Sequence, residues 1–247
     1  QAAHYDRDGF VVLEGVFDRE TIAALTREID PLEARMEAIV RDQLGGKAFI
    51  ARAGEISFTP HLVKQSAKAK AFTQHAFFRD IAYDLLGEDV RLYWDQAVYK
   101  KPGTLEPFPW HQDNGYTFIE PQQYLTCWVA LTDTDEDNGC PLVMKGRHRE
   151  GTCAHRMTEL GWEIAGEAVE PVAAAPVRAG GVVVFSSLTP HKTGPNRTAD
   201  HVRKSYIVQF APEGACLRAR EGEQLLSIPC NDPERQYPIL VGGEKPA

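Results

Sequence analysis

The chain has 247 residues, of which 43% are hydrophobic and 25% charged, a composition typical of a globular protein with a sizeable core. Its formal net charge of −8 argues against nucleic acid or an anionic membrane as a partner, because both carry negative charge. No apolar run reaches the ~20 residues that a transmembrane helix needs, and the first ten residues are polar, unlike a secretory signal.

The five cysteines form no CxxC pair, and their odd number argues against a disulfide framework and against a structural zinc site. We interpret them as reduced cysteines that fill the core. Reduced thiols are typical of the cytoplasm, so we expect a cytoplasmic protein.

The N-terminal part predicts two helices. Asp18 is a candidate N-cap, because apolar residues follow it at three- and four-residue steps as far as Ile39. Pro31 lies inside this stripe and predicts a kink or an interruption. A second helix is predicted over residues 72–86, where Gly87 suits its C-terminal end.

Beyond Gly87 the pattern changes to short apolar or alternating runs. They predict strands over residues 90–100, 124–131, 181–185 and 205–211, with turn-rich segments between them. No helices alternate with these strands, which favours a sandwich or barrel over a doubly wound parallel sheet. We therefore predict one domain over residues 1–247, with a helical part at about 1–89 and a β-rich core at about 90–212.

The segment Trp110-His111-Gln112-Asp113 carries the clearest chemical signal. On a strand, residues two apart point to the same face, so His111 and Asp113 could reach one point. An imidazole and a carboxylate on one face are two of the ligands of a 2-His-1-carboxylate iron site. His191 is the best candidate for the third, because it follows a buried-type strand and the other histidines lie in polar or helical contexts. A lone HxD pair is a weak motif, so the surrounding sequence decides its meaning.

Four blocks of sequence supply that context, and in chain order they are PWHQDNGY, YLTCWVALTDTDEDNGCPLVMKGRHREG, PHKTGPN and VRKSYIVQFAP. Together with DGFVVLEGVF near the N-terminus, they resemble the phytanoyl-CoA dioxygenase family over most of the chain. The resemblance implies a mainly β fold with flanking helices, a double-stranded β-helix of the jelly-roll, cupin-like kind. It also implies Fe(II) bound by His111, Asp113 and His191, with 2-oxoglutarate and O2 as cosubstrates.

The resemblance further implies contacts to 2-oxoglutarate. The family's carboxylate-binding arginine falls on Arg203, with Arg197 as a nearby competitor, and its hydroxyl residue after the distal histidine falls on Thr193. The weaker matches are Lys64, Gln96 and Trp128. For Lys64 and Trp128, a plain surface lysine and a core aromatic remain the alternatives.

Alternation favours Arg203 over Arg197. Arg203 has the same parity as Ser205, Ile207 and Gln209, a polar-leaning face that we expect to line the barrel interior. Arg197 lies in a Gly-Pro-Asn-Arg sequence that is typical of an exposed turn.

The implied activity is the hydroxylation of an unactivated C–H bond in a small molecule, with release of succinate and CO2. The carboxylate of Asp113 favours hydroxylation over halogenation, because related halogenases carry a small residue there. Two alternatives remain open: a cupin-like dioxygenase or isomerase that does not use 2-oxoglutarate, and a non-catalytic ligand-binding jelly roll.

The family's substrates include fatty acyl-CoA, osmolytes and secondary metabolites, and the sequence does not choose among them. Substrate contacts are expected in loops, which vary most. The candidate walls are Tyr99, Phe108, Tyr116, Phe118 and residues 157–162.

Overall fold

The computed structural model describes residues 1–115, 117–166, 170–222 and 224–246. Its helices are α1 (Ala2–Asp8), α2 (Arg19–Gln43), α3 (Ala67–Thr73) and α4 (Ala76–Leu86), with 3-10 turns at Leu62–Lys64, Asp113–Gly115 and Arg147–Glu150. Its strands are β1 (Phe10–Leu13), β2 (Lys47–Ala48), β3 (Ala51–Arg52), β4 (Ile56–Pro60), β5 (Val90–Lys100), β6 (Phe108–His111), β7 (Ile119–Glu120), β8 (Leu125–Ala130), β9 (Pro141–Met144), β10 (His155–Thr158), β11 (Gly161–Ile164), β12 (Val172–Ala174), β13 (Val182–Ser186), β14 (His191–Thr193), β15 (Arg203–Pro212), β16 (Cys216–Glu221), β17 (Gln224–Pro229) and β18 (Pro238–Leu240). Within the described residues, no helix is long and apolar enough to cross a membrane.

Two antiparallel sheets form the body of the molecule. The larger sheet has the strand order β1-β13-β8-β15-β5-β4-β3-β2, with β18 also beside β5, and the smaller sheet has the order β12-β9-β14-β6. Strands that are distant in the sequence are neighbours in both sheets, as in a jelly roll. A small β17-β16-β7 sheet and the β10–β11 hairpin lie outside this pair. The arrangement is the mainly β sandwich that the sequence predicts.

Alternation along the larger sheet separates two cores. In β13, Val182 and Val184 pack into the core that the helices cover, whereas Val183 and Phe185 belong to the core between the sheets. The first core receives the apolar sides of α2, α3 and α4, including Ile22, Leu25, Ile29, Phe72 and Phe78. The helices therefore cover one face of the larger sheet and leave its other face for the interior.

Helix α2 begins as predicted and runs through its proline. The Asp18 carboxylate accepts a hydrogen bond of 2.7 Å from the Thr21 N–H, which confirms the N-cap. An interruption at Pro31 is wrong, because the helix is continuous over Arg19–Gln43. The proline removes one hydrogen bond, but buried residues on both sides of it pack against the sheet and offset that loss.

The helix predicted over residues 72–86 is confirmed over Ala76–Leu86 and wrong at its start, because residues 72 and 73 belong to the separate helix α3. The His75 ring lies between α3 and α4 and accepts a hydrogen bond of 3.2 Å from the Phe77 N–H, which caps α4. Gly87 ends α4 as predicted, with a φ of 108° that a glycine adopts without strain.

The four predicted core strands are confirmed, with ends that differ by at most two residues. The N-terminal part is less helical than predicted, because β1 and β2 to β4 add to the two edges of the larger sheet. Strands also continue beyond residue 212, where β18 pairs with β5. These strands have two to six residues, too few for a clear alternation to show in the sequence.

Asp95 is a buried carboxylate on the helix-covered side of β5. Its Oδ2 accepts hydrogen bonds from the Val63 N–H at 3.1 Å and from the Tyr206 hydroxyl at 3.0 Å, whereas Oδ1 has no partner among the described residues. Burial raises the pKa of Asp95 from 3.8 to about 6. The folded protein thus holds this proton more tightly than the unfolded chain, and it loses stability as the pH rises from about 4 to about 6.

Asp95→Asn is expected to remove this loss, because the amide carries no charge and its oxygen still accepts both hydrogen bonds. Its free energy of unfolding should match that of the parent near pH 4 and exceed it by up to about 3 kcal/mol above pH 6, since a tenfold difference in proton affinity corresponds to about 1.4 kcal/mol. Urea denaturation from pH 4 to 8 measures the difference. Asp42→Asn, at an exposed carboxylate paired with Arg41, is the control and should show no such gain. A constant difference between parent and Asp95→Asn across this range would contradict the raised pKa.

Candidate metal centre

His111 and His191 lie opposite each other on adjacent strands. His111 ends β6, His191 begins β14, and the antiparallel register pairs them directly. Their ring centroids are 4.2 Å apart. Each Nδ1 lies 2.9 Å from a backbone carbonyl oxygen, that of Pro109 for His111 and that of Thr189 for His191. Because a carbonyl only accepts, each Nδ1 donates its proton there, which leaves Nε2 as the ring nitrogen that can bind a metal.

The electrostatic environment keeps His111 neutral. Burial lowers its pKa well below the ordinary value, and the neighbouring His191 lowers the pKa further. Both imidazoles are buried at this point of the smaller sheet. A neutral imidazole is the form that binds a metal ion.

Asp113 completes the cluster from a turn. The prediction that His111 and Asp113 share one strand is wrong, because β6 ends at His111 and Asp113 opens a 3-10 turn. The carboxylate still converges on the rings, with Oδ1 3.7 Å from Nε2 of His111 and 3.8 Å from Nε2 of His191. One potential ligand atom from each of the three side chains lies within 4.8 Å of the others. Two imidazoles and a carboxylate are the donor set of a 2-His-1-carboxylate site.

The second oxygen of Asp113 is held by the larger sheet. Oδ2 accepts a hydrogen bond of 2.6 Å from the hydroxyl of Thr126 in β8 and one of 2.9 Å from the side-chain amide of Gln209 in β15. These bonds orient the carboxylate so that Oδ1 faces the histidines. Sequence reasoning missed both residues as site residues, although Gln209 has the same parity as Arg203.

Thr126→Val is expected to weaken metal binding roughly 10- to 100-fold, the usual cost of losing a hydrogen bond that orients a ligand. Valine has nearly the same shape as threonine but cannot donate to Oδ2. Calorimetric titration with Mn(II), a stable ion that such N/O sites also bind, measures the effect. Thr126→Ser keeps the hydroxyl and should bind nearly as the parent does. Equal affinity for all three proteins would show that Gln209 orients Asp113 alone.

The residues between and after the ligands hold the motif in place. Gln112 is fully buried, and its side-chain amide donates to the carbonyls of residues 151 and 188 while its oxygen accepts from the N–H of Cys153. The side chain of Asn114 bonds to both backbone groups of Ile119. The turn that carries Asp113 is therefore tied to three neighbouring segments.

Arg203 has a fully buried guanidinium, and two of its nitrogens lack a hydrogen-bond acceptor within the described residues. It lies in β15 opposite Lys100 of β5, and its Nη1 donates to Oγ of Ser205 at 2.9 Å and to the carbonyl of Val98 at 3.3 Å. Its Nε and Nη2 are buried and have no hydrogen-bond partner among the residues that the structure describes. Burial lowers the pKa of Arg203 to about 10, so the group stays charged at neutral pH. Leaving such donors unsatisfied is costly, whereas a carboxylate would accept from both at once.

Lys100 is a second buried basic residue beside Arg203, and sequence reasoning missed it. Its Nζ donates to Oγ1 of Thr193 at 3.2 Å and to the carbonyl of Gly194 at 2.5 Å. Burial, with a contribution from Arg203, lowers the pKa of Lys100 to about 6. An anion bound at Arg203 would favour the charged form of Lys100, because opposite charges stabilise each other.

A cavity of about 440 Å³ lies between the two sheets, and the three metal ligands line it. Four of the residues predicted to contact 2-oxoglutarate also line it, namely Gln96, Trp128, Thr193 and Arg203. The guanidinium carbon of Arg203 is 5.4 Å from the centroid of the Trp128 ring. Ile207 and Gln209 line the cavity as well, so the alternation predicted for β15 is confirmed.

Lys64 and Arg197 lie elsewhere. Lys64 ends a 3-10 turn, its side chain is 40% exposed, and its Nζ pairs with Oε2 of Glu234 at 2.7 Å. It does not line the cavity, which gives no support to the predicted contact with 2-oxoglutarate. Arg197 is exposed and does not line the cavity either.

The predicted substrate walls have mixed outcomes. Phe108 lines the cavity. Tyr99 does not, because it faces the helices and its hydroxyl donates to Oδ1 of Asp30 at 2.7 Å. Phe118 and residues 157–162 are also absent from the described lining, and Tyr116 lies outside the described residues.

The fold and this cluster define a non-haem metal site in a jelly roll, and sequence comparison identifies the family. Residues 5–205 match the family model of phytanoyl-CoA dioxygenase (PhyH). Since the match covers most of the chain, the protein belongs to this family.

One characterised relative is the ectoine dioxygenase of Bordetella bronchiseptica. It is 30% identical over 154 residues, a match that covers 61% of this chain and 49% of that protein. The chain thus spans about half the length of the first curated relatives that it matches.

Solved structures confirm the predicted jelly-roll fold. The structure of EvdO2 from Micromonospora carbonacea var. aurantiaca, complexed with 2-oxoglutarate, has a TM-score of 0.69 and 25% sequence identity, covering 90% of this chain and 93% of that one. The epimerase SnoN, in complex with Fe3+, alpha ketoglutarate and nogalamycin RO, has a TM-score of 0.73 and 21% identity, covering 96% of each chain.

Proposed function

We propose that this protein is an Fe(II)- and 2-oxoglutarate-dependent dioxygenase that hydroxylates a C–H bond of a small molecule and releases succinate and CO2. One observation carries the proposal: the cavity that contains the His-Asp-His cluster also contains a buried guanidinium whose Nε and Nη2 have no hydrogen-bond partner in the described part of the chain. Iron requires a metal site and 2-oxoglutarate requires a site for its carboxylate, and this cavity offers both.

The side chains fit both ligands. Nε2 of His111, Nε2 of His191 and Oδ1 of Asp113 would hold the iron, as nitrogen and oxygen donors suit this ion. The Nε–Nη2 edge of Arg203 would hold the far carboxylate of 2-oxoglutarate bidentately, beside the hydroxyl of Thr193. When bound together, iron and 2-oxoglutarate supply the oxidising chemistry that places one atom of O2 in the substrate and the other in succinate.

The protein positions these groups and shields them from water. The hydrogen bonds of Thr126 and Gln209 fix Asp113, and the Nδ1 bonds fix both histidines before any ligand binds. Trp128 is 3% exposed and lies near the Arg203 guanidinium. Exclusion of water strengthens each charge interaction in the cavity, because the local dielectric constant is low.

The same observation argues against the alternatives. A cupin-like enzyme that does not use 2-oxoglutarate would have no need of unsatisfied arginine donors inside the cavity. A non-catalytic jelly roll would have no need of two oriented histidines and a carboxylate fixed by two hydrogen bonds. The EvdO2 and SnoN complexes, which hold 2-oxoglutarate in related folds, also favour the proposal.

We also propose a cytoplasmic protein that acts on a small molecule and not on nucleic acid. All five cysteines are free, which suits a reducing compartment. The net charge of −8 disfavours a polyanionic partner.

Succinate formation tests the reaction class. Protein loaded with Fe(II) without oxygen is mixed with 2-oxoglutarate and then exposed to O2, and succinate is quantified. We expect succinate that depends on both iron and 2-oxoglutarate, at a low rate without the substrate. Reactions that lack either component are the controls. Iron binding without any succinate above these controls would contradict the proposal.

A further inference from the structure

One half of the cavity is apolar. Its described wall comes from the end of α2, the β2–β3 hairpin, β4 and β6, and it includes Met36, Val40, Phe49, Ile50, Phe58 and Phe108. Among the lining residues that the structure describes, Asp113 and Arg203 are the acidic and basic side chains besides the two histidines. The proposed function assigns all four to iron and 2-oxoglutarate, so none is left to pair with a charged substrate.

On the neighbouring hairpins, two arginines each form an ion pair with a carboxylate, although Nη1 of Arg52 is buried without a hydrogen-bond partner among the described residues. Nε of Arg52, at the end of β3, is 2.6 Å from Oε2 of Glu55. Nη2 of Arg156 in β10 is 2.9 Å from Oε2 of Glu163 in β11. Neither pair is part of the cavity lining.

The β2–β3 hairpin and β11 meet at the cavity. A Cβ atom on Gly161 of β11 would lie 3.0 Å from Cγ2 of Ile50 and 3.4 Å from a ring carbon of Phe108, so the glycine allows this close approach. Phe49, beside Ile50 at the hairpin turn, has a φ of 54°, a conformation that is costly for an aromatic residue. Its side chain lines the cavity but is 64% exposed. A large apolar side chain held in this way is placed to cover a ligand.

We infer that the substrate is an uncharged, largely apolar small molecule that packs in this apolar half and against Phe49. The inference rests on the proposed function for the reaction but concerns only what this half of the cavity binds. A zwitterion or an anion buried here would lose its hydration without gaining a partner, whereas apolar surface gains from leaving water. The cavity of about 440 Å³ has to hold 2-oxoglutarate as well as this substrate, so the substrate is a small molecule.

Fluorescence measures this binding without turnover, because Trp94 and Trp128 both line the cavity. The protein with Fe(II) and 2-oxoglutarate, kept free of oxygen, is titrated with Nile red, an uncharged apolar dye. Cedrol, ectoine and palmitoyl-CoA then compete as neutral, zwitterionic and anionic probes. We expect Nile red to bind and cedrol to displace it at a concentration at least ten times lower than either charged probe. Failure of Nile red to bind, or displacement by a charged probe at an equal or lower concentration than cedrol, would overturn the inference.

Phe49→Asp tests the location. Aspartate tolerates a left-handed backbone better than phenylalanine, so the variant should remain folded. It should bind Nile red at least tenfold more weakly, because it places a charge at the apolar wall, whereas Phe49→Leu should lose less. Leu105→Asp introduces the same charge at a residue that is 70% exposed and outside the cavity lining, and it should leave the affinity unchanged. Equal effects of the two aspartates would show that the dye binds elsewhere.

The two proposals fail in different ways. Succinate formation without binding of the neutral probes would leave the reaction class standing and refute the apolar substrate. Binding of neutral probes in the presence of iron and 2-oxoglutarate, without any succinate, would refute the reaction class and leave the binding preference standing.

Discussion

Asp113→Ala is expected to weaken iron binding on the order of 100-fold or more and to abolish succinate formation, because it removes a ligand and not only the hydrogen bond that orients one. The substitution removes one of three ligand atoms and also the negative charge that offsets part of the charge on the metal. It leaves the two imidazoles as the remaining ligands, and it leaves the donors of Thr126 and Gln209 without their acceptor.

Anaerobic titration with Fe(II) and the succinate assay measure both effects of Asp113→Ala. Glu136→Ala is the matched control, since it removes an exposed carboxylate from the turn after β8 and should change neither quantity. Full succinate formation by Asp113→Ala loaded with iron would show that the assigned ligand set is wrong.

Arg203→Ala is expected to raise the KM for 2-oxoglutarate by one to a few orders of magnitude. The alanine variant loses a desolvated charge pair, a loss that typically costs about 2–5 kcal/mol. Arg203→Lys should not restore the affinity, because an ammonium group cannot reproduce the planar fork of donors. Mn(II) affinity should stay near that of the parent, since Arg203 is not a metal ligand.

Arg197→Ala is the matched control for this experiment, because Arg197 lies between β14 and β15, six positions before Arg203, and is exposed. Its KM for 2-oxoglutarate should change little. Steady-state kinetics on both variants decide the assignment, and a large effect at Arg197 with none at Arg203 would reverse it.

The metal ligands could be predicted because their chemistry is visible in single residues. His111 and Asp113 are two positions apart, and His191 follows a strand whose apolar run is plain in the sequence. Their convergence depends on the register between β6 and β14. No local sequence pattern predicts that register. The orientation of Arg203 was predictable for a different reason: alternation along a strand is local, and Tyr206, Val208 and Phe210, which have the opposite parity in β15, face the helices.

The remaining errors come from contacts between distant parts of the chain. The side chain of Lys64 forms an ion pair with Glu234, which is 170 positions later in the sequence. No local pattern reveals that pair. The break between α3 and α4 depends on the ring of His75, which accepts the hydrogen bond that caps α4. This bond leaves the spacing of the apolar residues unchanged, so the spacing does not reveal the break. In the sequence, Lys100 looks like an ordinary lysine at the end of a strand. Only the pairing of β5 with β15 places it beside Arg203.

The hydrogen bonds that Asp113 accepts from the larger sheet affect how firmly the two sheets are held together. The histidines belong to the smaller sheet, whereas the partners of the Asp113 carboxylate, Thr126 and Gln209, belong to the larger one. A cation bound by all three ligands would therefore link the two layers and resist their separation. Loss of the cation would leave hydrogen bonds and apolar packing alone to hold the layers together, so the metal-free protein should admit water and proteases between its sheets sooner than the loaded one.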